Sequence, residues 1–353
     1  MIDFPASPTN GQVFTSGGQS WTWDGTKWVP SGTTVMPPLS TGDNRIINGD
    51  MRINQRGVSS GTATGYTIDR WVFGTNQVGK GTWGQGSTGP FGFPYYLNFT
   101  SSSAYASLAA DTFSFNTRIE ADAISDFQFG TANAQPITLS FRAYSSVAGT
   151  FGGAITNDAG TRTYPFSYTL AASVWTLVTI TIPGDTAGTW VMSGNARAMI
   201  VYFDLGCGAN SRGPAGAWAS AGYSGATGAV SIVGTNGANF AVTGVKLEIG
   251  SVATPYPRQS LAKSLADCQR YYQAGSMQGF GYGAAAGGQA VVAFHPFAVV
   301  MRAVPTMVAN WTTQTNCTGL FAPQTAAFYQ VGATATAIGN CNAFGTFTAS
   351  AEL

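Results

Sequence analysis

The chain has 353 residues, of which 44% are hydrophobic, 13% aromatic and only 9% charged, and 46 of them are glycine. Charged residues make up about 25% of a typical soluble domain, so neutral polar side chains or neighbouring subunits must cover this surface. The net charge of +1 gives no electrostatic basis for binding nucleic acid. No stretch approaches the roughly 20 apolar residues that span a bilayer, and the start MIDFPASPTNG does not resemble a signal peptide. We therefore expect neither membrane insertion nor secretion.

Residues 1–30 predict a small β-hairpin module. Two short strands flank an Asp-Gly pair at 24–25, a strong hairpin signal because glycine accepts a positive φ. So small a module buries little by itself, and its tryptophans need further surface to pack on. The stretch resembles small amino-terminal modules of phage structural proteins, and this resemblance implies that the tryptophans attach the module to the virion. A self-contained hairpin cap is the alternative. The tryptophans concerned are Trp21, Trp23 and Trp28. A linker rich in Pro, Gly, Ser and Thr follows at residues 31–44.

Residues 45–258 show short strands separated by turn signals, without a helical period. Each predicted strand alternates or runs apolar over strand length, between glycine-rich connections. This pattern predicts a jelly-roll β-sandwich and, with the rest of the chain, an all-β fold. The clearest strands are 137–144, 175–185, 196–205 and 239–250.

A short connecting helix is predicted at residues 259–273. Apolar side chains recur at helical spacing, and Ser260 followed by Lys263 resembles an imperfect capping box. A single short helix is not stable alone in water, so it packs either on its own domain or on copies around a three-fold axis.

Residues 274–353 predict a C-terminal β tip domain that is almost uncharged. The segment holds a buried-type strand and then the turn MRAVPTM. Between Gly275 and Ser350 only His295 and Arg302 are ionisable, thiols and phenols apart. We expect partner chains to cover such a poorly solvated surface.

The cysteines are widely scattered and show no metal-ligand spacing. They are predicted to be small buried hydrophobes of a chain that folds in a reducing compartment, without metal or other cofactor. Pairing of two of them in the tip after cell lysis remains an alternative. The four are Cys207, Cys268, Cys317 and Cys341, and the last two form that pair.

The ionisable residues give little support for catalysis. An acidic cluster between residues 111 and 126 is the best candidate for the carboxylate pair of a polysaccharide-cleaving site. A solvated loop with Arg118 as internal partner is the more natural interpretation, and the long repeats of depolymerising spikes are missing. His295 lies in an apolar strand without an acidic neighbour, which is typical of a structural histidine. We predict no catalytic residue. The cluster consists of Asp111, Glu120, Asp122 and Asp126.

Aromatic residues in glycine-rich loops are candidates for stacking on sugars. Aromatic faces cover the apolar faces of pyranose rings, while neighbouring polar side chains satisfy hydroxyl groups. In an oligomer the same aromatic residues could instead be buried by a neighbouring chain. The candidates are Trp83, Trp218, Tyr223, Phe280 and Tyr282.

Four short motifs together resemble bacteriophage tail-fibre and receptor-binding virion proteins. They are NGDMRINQRG at 48–57, YTIDRW at 66–71, VKLEIGSVATPYPRQSLAKSLADCQRYY at 245–272 and SAEL at 350–353. Each motif is short, but they span nearly the whole chain in the order such fibres show. The strand order further resembles the jelly roll of carbohydrate-binding modules, with NGDM in its first strand and VKLEIG in its last.

The resemblance implies a homotrimeric virion protein, assembled in the host cytoplasm and attached to the particle through residues 1–30. Its tip would be distal and would face a host surface glycan. Two alternatives stay open, namely a purely structural head fibre or decoration protein and a polysaccharide-depolymerising tail spike.

Jelly-roll carbohydrate modules often hold a structural calcium ion through oxygen ligands near their first and last strands. This chain departs from that pattern, because Arg52 stands where those modules frequently place an acidic ligand. Ion pairs among the nearby charged residues need no metal. Asp50 and Glu248 could still contribute oxygen ligands, but a salt bridge among Arg52, Arg70, Asp69 and Glu248 is an equally sensible arrangement. We expect no bound calcium.

Overall fold

The computed structural model describes residues 4–16, 19–23, 25–30, 43–283 and 290–353. The chain forms two compact units, residues 1–41 and residues 42–353. The predicted turn residue Asp24 and most of the predicted linker 31–44 lie outside the described residues. The connecting helix and the tip belong to the same compact unit as the sandwich, so residue 258 does not end a compact unit.

The first unit is a three-stranded antiparallel sheet in the order β1-β2-β3. Its strands are β1 (Val13–Ser16), β2 (Gln19–Trp23) and β3 (Trp28–Pro30). Trp23 lies opposite Trp28, with ring centroids 5.6 Å apart, which confirms the predicted hairpin. The rings of Phe4 and Phe14 pack around Trp21 and Trp28 at centroid distances of 5.3 to 6.2 Å. Trp21 is only 9% exposed, so it does not depend on a partner for burial.

The second unit begins with a sandwich of two six-stranded sheets. The front sheet has the order β13-β10-β17-β8-β7-β4 and the back sheet the order β12-β11-β14-β9-β6-β5, and their ladders are antiparallel. The strands of these two sheets are β4 (Ser60–Gly61), β5 (Gly65–Tyr66), β6 (Trp71–Thr75), β7 (Gly81–Gly86), β8 (Tyr96–Ser101), β9 (Phe113–Glu120), β10 (Ile137–Ser145), β11 (Gly149–Asn157), β12 (Thr163–Leu170), β13 (Thr176–Ile182), β14 (Arg197–Asp204) and β17 (Asn239–Ile249). Two further strands, β15 (Arg212–Gly213) and β16 (Gly225–Ala226), pair in parallel as a separate two-stranded sheet. Short 3₁₀ turns lie at Asp122–Phe127 and Ala209–Ser211. The all-β prediction and the four clearest predicted strands are confirmed.

Aromatic and aliphatic side chains fill the space between the two sheets. Phe141 of the front sheet meets Phe203 of the back sheet with ring centroids 5.0 Å apart, and Phe99 meets Phe73 at 5.6 Å. Strand β8 alternates between half-buried and buried side chains, because successive residues point to opposite faces of the sheet. Each strand therefore has one face in the core and one face directed outward.

The NGDM motif is not the first strand of the sandwich, contrary to expectation. Asn48 and Met51 have positive φ values of 57° and 59°, so the segment is a turn. It lies against β17, where the Val245 amide donates to the Gly49 carbonyl at 2.9 Å. A Cβ on Gly49 would lie 2.1 Å from the Val245 carbonyl oxygen, so only glycine fits there. VKLEIG lies in β17, the last strand of the sandwich, as predicted.

A helix, α1 (Leu261–Gln269), connects the sandwich to the tip. It is shorter than the predicted 259–273, because the chain turns after Arg270 and a strand begins at Tyr272. The Ser260 hydroxyl accepts a hydrogen bond from the Lys263 amide at 3.2 Å, so the predicted cap is present. Cys268 is fully buried, whereas Leu261 is 61% exposed. The helix therefore packs on its own chain through one face.

The tip consists of two three-stranded sheets, β18-β23-β20 and β19-β22-β21. The strands are β18 (Tyr272–Gly283), β19 (Ala290–Pro296), β20 (Thr306–Thr315), β21 (Cys317–Phe321), β22 (Phe328–Ala335) and β23 (Gly339–Ser350). Met277, Tyr329, Val331 and Phe347 form the centre of its core. The strand β19, predicted to be buried, leaves Phe294 65% exposed, because only one of its faces meets the core.

The tip is joined to the sandwich by a buried network at the end of the chain, which we call the junction. Arg70 and Arg56 both pair with the Glu352 carboxylate, Arg56 at 2.8 Å. Tyr66 donates its hydroxyl proton to the Leu353 carbonyl at 2.9 Å. The Gln55 amide donates to the Asp69 carboxylate at 2.7 Å and to the Tyr272 carbonyl at 2.9 Å. All four motifs that carry the fibre resemblance thus contribute residues to one contact between sandwich and tip.

All four cysteines are buried and free, including the predicted alternative pair in the tip. Burial raises the pKa of the Cys207 and Cys268 thiols well above the ordinary range and that of Cys341 to about 11. Because the thiolate is the reactive form, we expect the native protein at pH 8 to react very slowly with Ellman's reagent. The same protein in urea should release colour for all four thiols within minutes. Rapid labelling of the folded protein would contradict this placement.

Candidate functional site

The outer face of the front sheet carries a cluster of three partly exposed aromatic rings. Trp175 lies 5.6 Å from Tyr96 and 5.6 Å from Tyr144, measured between ring centroids. Tyr144 belongs to β10 and Tyr96 to β8, and Ala241 of β17 is the residue opposite Tyr144. The small Ala241 side chain leaves room for the rings above it and is only 2% exposed. We call these three rings the aromatic cluster.

Strand alternation explains why the aromatic cluster faces outward. Leu139, Phe141 and Ala143 of β10 are fully buried in the core, so the alternate residues on that strand face away from it. Tyr144 and Arg142 are both half-buried on that outer face. None of the three rings of the aromatic cluster belongs to the hydrophobic core. The rings are therefore partly exposed on the sheet and are not needed to pack the core of the sandwich.

A pocket of about 390 Å³ lies on the same face, beside the aromatic cluster. Strands β10 and β13 form its floor, and residues 253–256 and Phe93 form its wall. The wall includes an edge-to-face pair of Phe93 and Tyr256, whose ring centroids are 5.1 Å apart. The pocket is lined by Phe93, Ser140, Arg142, Leu177, Thr179, Gly244, Ala253, Thr254, Pro255 and Tyr256.

A fully buried ion pair fixes the pocket wall. The Lys246 ammonium lies 2.9 Å from the Glu248 carboxylate, and neither side chain is more than 1% exposed. Thr254 donates its amide to Glu248 at 2.9 Å and its hydroxyl to the same carboxylate at 2.6 Å. The Lys246 ammonium also donates to the Pro255 carbonyl at 3.1 Å. These bonds hold the segment against β17, so the pocket is preformed.

Trp83 was predicted as an exposed aromatic residue, and the structure corrects this. It is 5% exposed and faces the core from β7, opposite Phe99 of β8. A Cβ on Gly61 would lie 2.9 Å from the indole nitrogen, so the neighbouring glycine admits the ring. Trp83 therefore contributes to packing and cannot stack on a ligand at the surface.

Trp218 and Tyr223 lie in the loops beside the back sheet and are partly buried. The Trp218 ring packs against Tyr164 and Trp190 at centroid distances of 5.3 and 5.7 Å. Its indole nitrogen donates to the Pro183 carbonyl at 2.7 Å. These contacts give Trp218 a structural role, and they leave it apart from the aromatic cluster.

Phe280 and Tyr282 lie on the outer face of the tip sheet that contains β18. They are 52% and 62% exposed, and Phe280 meets the ring of Phe344 at 5.3 Å. Of the predicted sugar-contact residues, these two are the ones exposed as expected. The tip and the front sheet thus carry separate aromatic surfaces.

The acidic residues between 111 and 126 do not form one cluster, because each is held by different partners. Asp111 precedes strand β9, whereas the other three acidic residues lie at its end or after it. Arg118, the expected internal partner, instead bonds to Tyr66 at 3.3 Å and to the Leu353 carbonyl. The contacts are Asp111 with Tyr105 at 2.8 Å, Glu120 with Arg270 at 2.8 Å and Arg302 at 3.0 Å, Asp122 with the Gly194 amide, and Asp126 with Arg45 at 2.7 Å. His295 stacks on Tyr329 and lies 2.6 Å from the Gln278 carbonyl, as a structural histidine would.

The salt bridge suggested among Arg52, Arg70, Asp69 and Glu248 does not form. Its four members have separate partners, since the sheet and the junction place them in different surroundings. Arg52 pairs with Asp50 at 3.1 Å, Arg70 with Glu352 and Glu248 with Lys246, while Asp69 accepts from Gln55. Burial raises the pKa of Asp50 despite the neighbouring arginine. Within the described ranges, no three His, Cys, Asp or Glu side chains are grouped to hold a metal ion. No helix of the described part is long and apolar enough to cross a membrane.

No family model and no curated protein matches this sequence. Among solved structures, the enzymatically active domain of tailspike protein 4 from bacteriophage CBA120 is 11% identical, with a TM-score of 0.33. The match covers 59% of this chain but only 21% of that one. A family 11 carbohydrate-binding module from Clostridium thermocellum, in complex with a mixed-linked tetrasaccharide, is 11% identical over 56% of this chain and 99% of the module, with a TM-score of 0.30. The CBM22-1 xylan-binding domain from Paenibacillus barcinonensis is 8% identical over 61% of this chain and 99% of the domain, with a TM-score of 0.30. At this distance the similarities carry no functional argument, so function must be inferred from the chain's own residues.

Proposed function

We propose that this protein is a non-catalytic, glycan-binding virion fibre protein that recognises a host surface. We further propose that the aromatic cluster on the front sheet is its sugar-binding surface. The observation that carries this proposal is the partly exposed group of Trp175, Tyr144 and Tyr96, which lies beside a preformed pocket and outside the core.

The chemistry of this face suits a polysaccharide. Aromatic faces pack on the C–H groups of pyranose rings, and a rigid ring loses little entropy when it binds. Hydroxyl groups of Ser140 and Thr179 line the adjacent pocket and supply hydrogen bonds to sugar hydroxyls. Tyr96, Tyr144 and the pocket floor lie on strands, and Trp175 directly precedes β13. Their geometry is therefore fixed before the ligand arrives.

We also propose that the protein acts as a homotrimer on a virion, with residues 1–30 as the attachment module. The fibre-like motifs support this proposal, as does the tip, whose ionisable residues are so few. Exposed apolar side chains of the tip include Phe280, Phe294, Val308 and Ile338, and a neighbouring chain would remove them from water. Three copies on each fibre would multiply weak contacts to a repetitive polysaccharide.

The binding surface is tested by replacing Trp175 with alanine. A central aromatic residue of a binding site contributes about 2 kcal/mol or more, so retention on bacterial surface polysaccharides should weaken at least about 30-fold. Phe280→Ala is the matched control, because it removes an aromatic ring that is even more exposed, but from the tip. Retention is measured by affinity electrophoresis, and thermal unfolding verifies that both variants fold.

Two outcomes would overturn parts of the proposal. Loss of retention in Phe280→Ala but not in Trp175→Ala would assign recognition to the tip. Release of reducing ends from a retained polysaccharide would show catalysis and refute the non-catalytic assignment.

A further inference from the structure

Arg142 is an unpaired cation in the floor of the pocket beside the aromatic cluster. Within the described residues it makes no hydrogen bond and no ion pair, and its one charge-related contact is with the Phe93 ring at 5.7 Å. Every other arginine of the chain donates to a carboxylate or a carbonyl oxygen. The partners are Asp126 for Arg45, Asp50 for Arg52, Glu352 for Arg56 and Arg70, Leu353 for Arg118, Asp185 for Arg162, Asp158 for Arg197, Asp204 for Arg212, Gly92 for Arg258, and Glu120 for Arg270 and Arg302.

The surroundings of Arg142 leave its charge uncompensated. Among the residues that the structure describes, none that lines the pocket carries a carboxylate. Glu248, on the neighbouring strand β17, is buried, and its carboxylate already pairs with Lys246 and accepts a hydrogen bond from Thr254. Arg258 adds a second cation on the same Phe93 ring, at 5.4 Å. In a chain with so few charges, a half-buried guanidinium without a partner marks a place for an anion.

We propose that the glycan bound by this face is acidic and that Arg142 binds its carboxylate. This inference rests on the proposed function, since it names the class of sugar that the aromatic cluster receives. A guanidinium offers two parallel N–H groups in the geometry that a carboxylate accepts. The hydroxyl groups of Ser140 and Thr179 then lie near the remaining sugar oxygens.

The spacing of the strand fits two neighbouring sugar units. Tyr144 and Arg142 are two residues apart on β10 and point to the same face, so they are about 7 Å apart along the strand. One unit stacked on the aromatic cluster therefore places its neighbour over Arg142. The partial burial of Arg142 strengthens the attraction, because less water screens the pair.

The test uses the full chain in affinity electrophoresis through gels with polygalacturonate, hyaluronate or alginate. Each is compared with its carboxyl-reduced form and with neutral galactan and xylan. We expect at least one acidic polysaccharide to retard the protein and its reduced form to retard it at least tenfold more weakly. Arg142→Gln should lose roughly 10- to 100-fold in affinity for the acidic form, as expected for a charge-assisted hydrogen bond. Arg142→Lys, which keeps the charge but not the paired N–H groups, should fall between the two.

The outcomes separate this inference from the proposed function. Suppose that only neutral polysaccharides retard the protein, and that this retardation is lost in Trp175→Ala but unchanged in Arg142→Gln. The inference of an acidic ligand is then overturned, while the proposed glycan-binding face stands. Retardation by none of the polysaccharides overturns both. Dextran sulfate serves as an ion-exchange control. If it retards Trp175→Ala as strongly as the acidic sugars retard the native protein, the interaction is unspecific and the inference fails.

Discussion

Replacing Glu352 with alanine is expected to destabilise the compact unit 42–353 by about 3–5 kcal/mol, because it leaves a buried cation without its partner. Arg70 is 2% exposed and its guanidinium lies 3.6 Å from the centroid of the Tyr271 ring, so water cannot replace the lost carboxylate. Arg56 loses its ion pair in the same variant. Urea denaturation followed by circular dichroism measures the change, and limited proteolysis shows whether the tip separates from the sandwich.

The matched control is Asp158→Ala, which breaks an exposed ion pair. The side chains of Arg197 and Asp158 are 32% and 39% exposed, and such surface pairs contribute about 0–1 kcal/mol. The two variants should therefore differ clearly in their urea midpoints. Equal midpoints would mean that the junction is not what secures the end of the chain.

Replacing Glu248 with alanine should cost about 3–5 kcal/mol as well, since it leaves the fully buried Lys246 side chain without its counter-ion. The change also removes both bonds that Thr254 makes to the carboxylate. Because those bonds hold the pocket wall against β17, we expect this variant to lose affinity for the polysaccharide that the native protein binds. Urea denaturation gives the stability, and affinity electrophoresis gives the binding.

A double variant separates buried charge from packing. Lys246→Met with Glu248→Met removes both charges and keeps most of the volume, and such replacements are often neutral or stabilising. Its stability should return to near that of the native protein, while the wall remains loosened and binding remains weak. A double variant as unstable as the single one would show that shape, and not the unpaired ammonium, sets the cost.

The two buried networks have different roles in the proposed function. The Lys246 and Glu248 pair shapes the glycan-binding face, whereas Glu352 fixes the tip to the sandwich. The structure thus separates the residues that would bind sugar from those that would transmit the position of the tip. Substitutions in one network should leave the other intact, since they share no residue.

The outward-facing residues of β10 could have been identified from the sequence, although they are not among the predicted sugar-contact residues. In ITLSFRAY the alternate apolar residues Leu139, Phe141 and Ala143 predict the buried face, so Arg142 and Tyr144 fall on the other face. Glycine-rich surroundings indicated the exposure of an aromatic residue less reliably than strand alternation does. They indicated an exposed Trp83, whereas the glycines beside it admit the ring into the core.

Local sequence patterns predict the elements, namely the hairpin with facing tryptophans, the long strands of the sandwich, the cap at Ser260 and the all-β class. These depend on alternation, turn residues and capping, which act over a few neighbouring positions. The aromatic cluster, the isolation of Arg142 and the junction depend instead on contacts between segments that are distant in the sequence. Tyr96, Tyr144 and Trp175 belong to segments that meet because β13, β10, β17 and β8 are neighbours in one sheet. Strand order and ion-pair partners are set by packing across the whole unit, and no local pattern in the sequence records them.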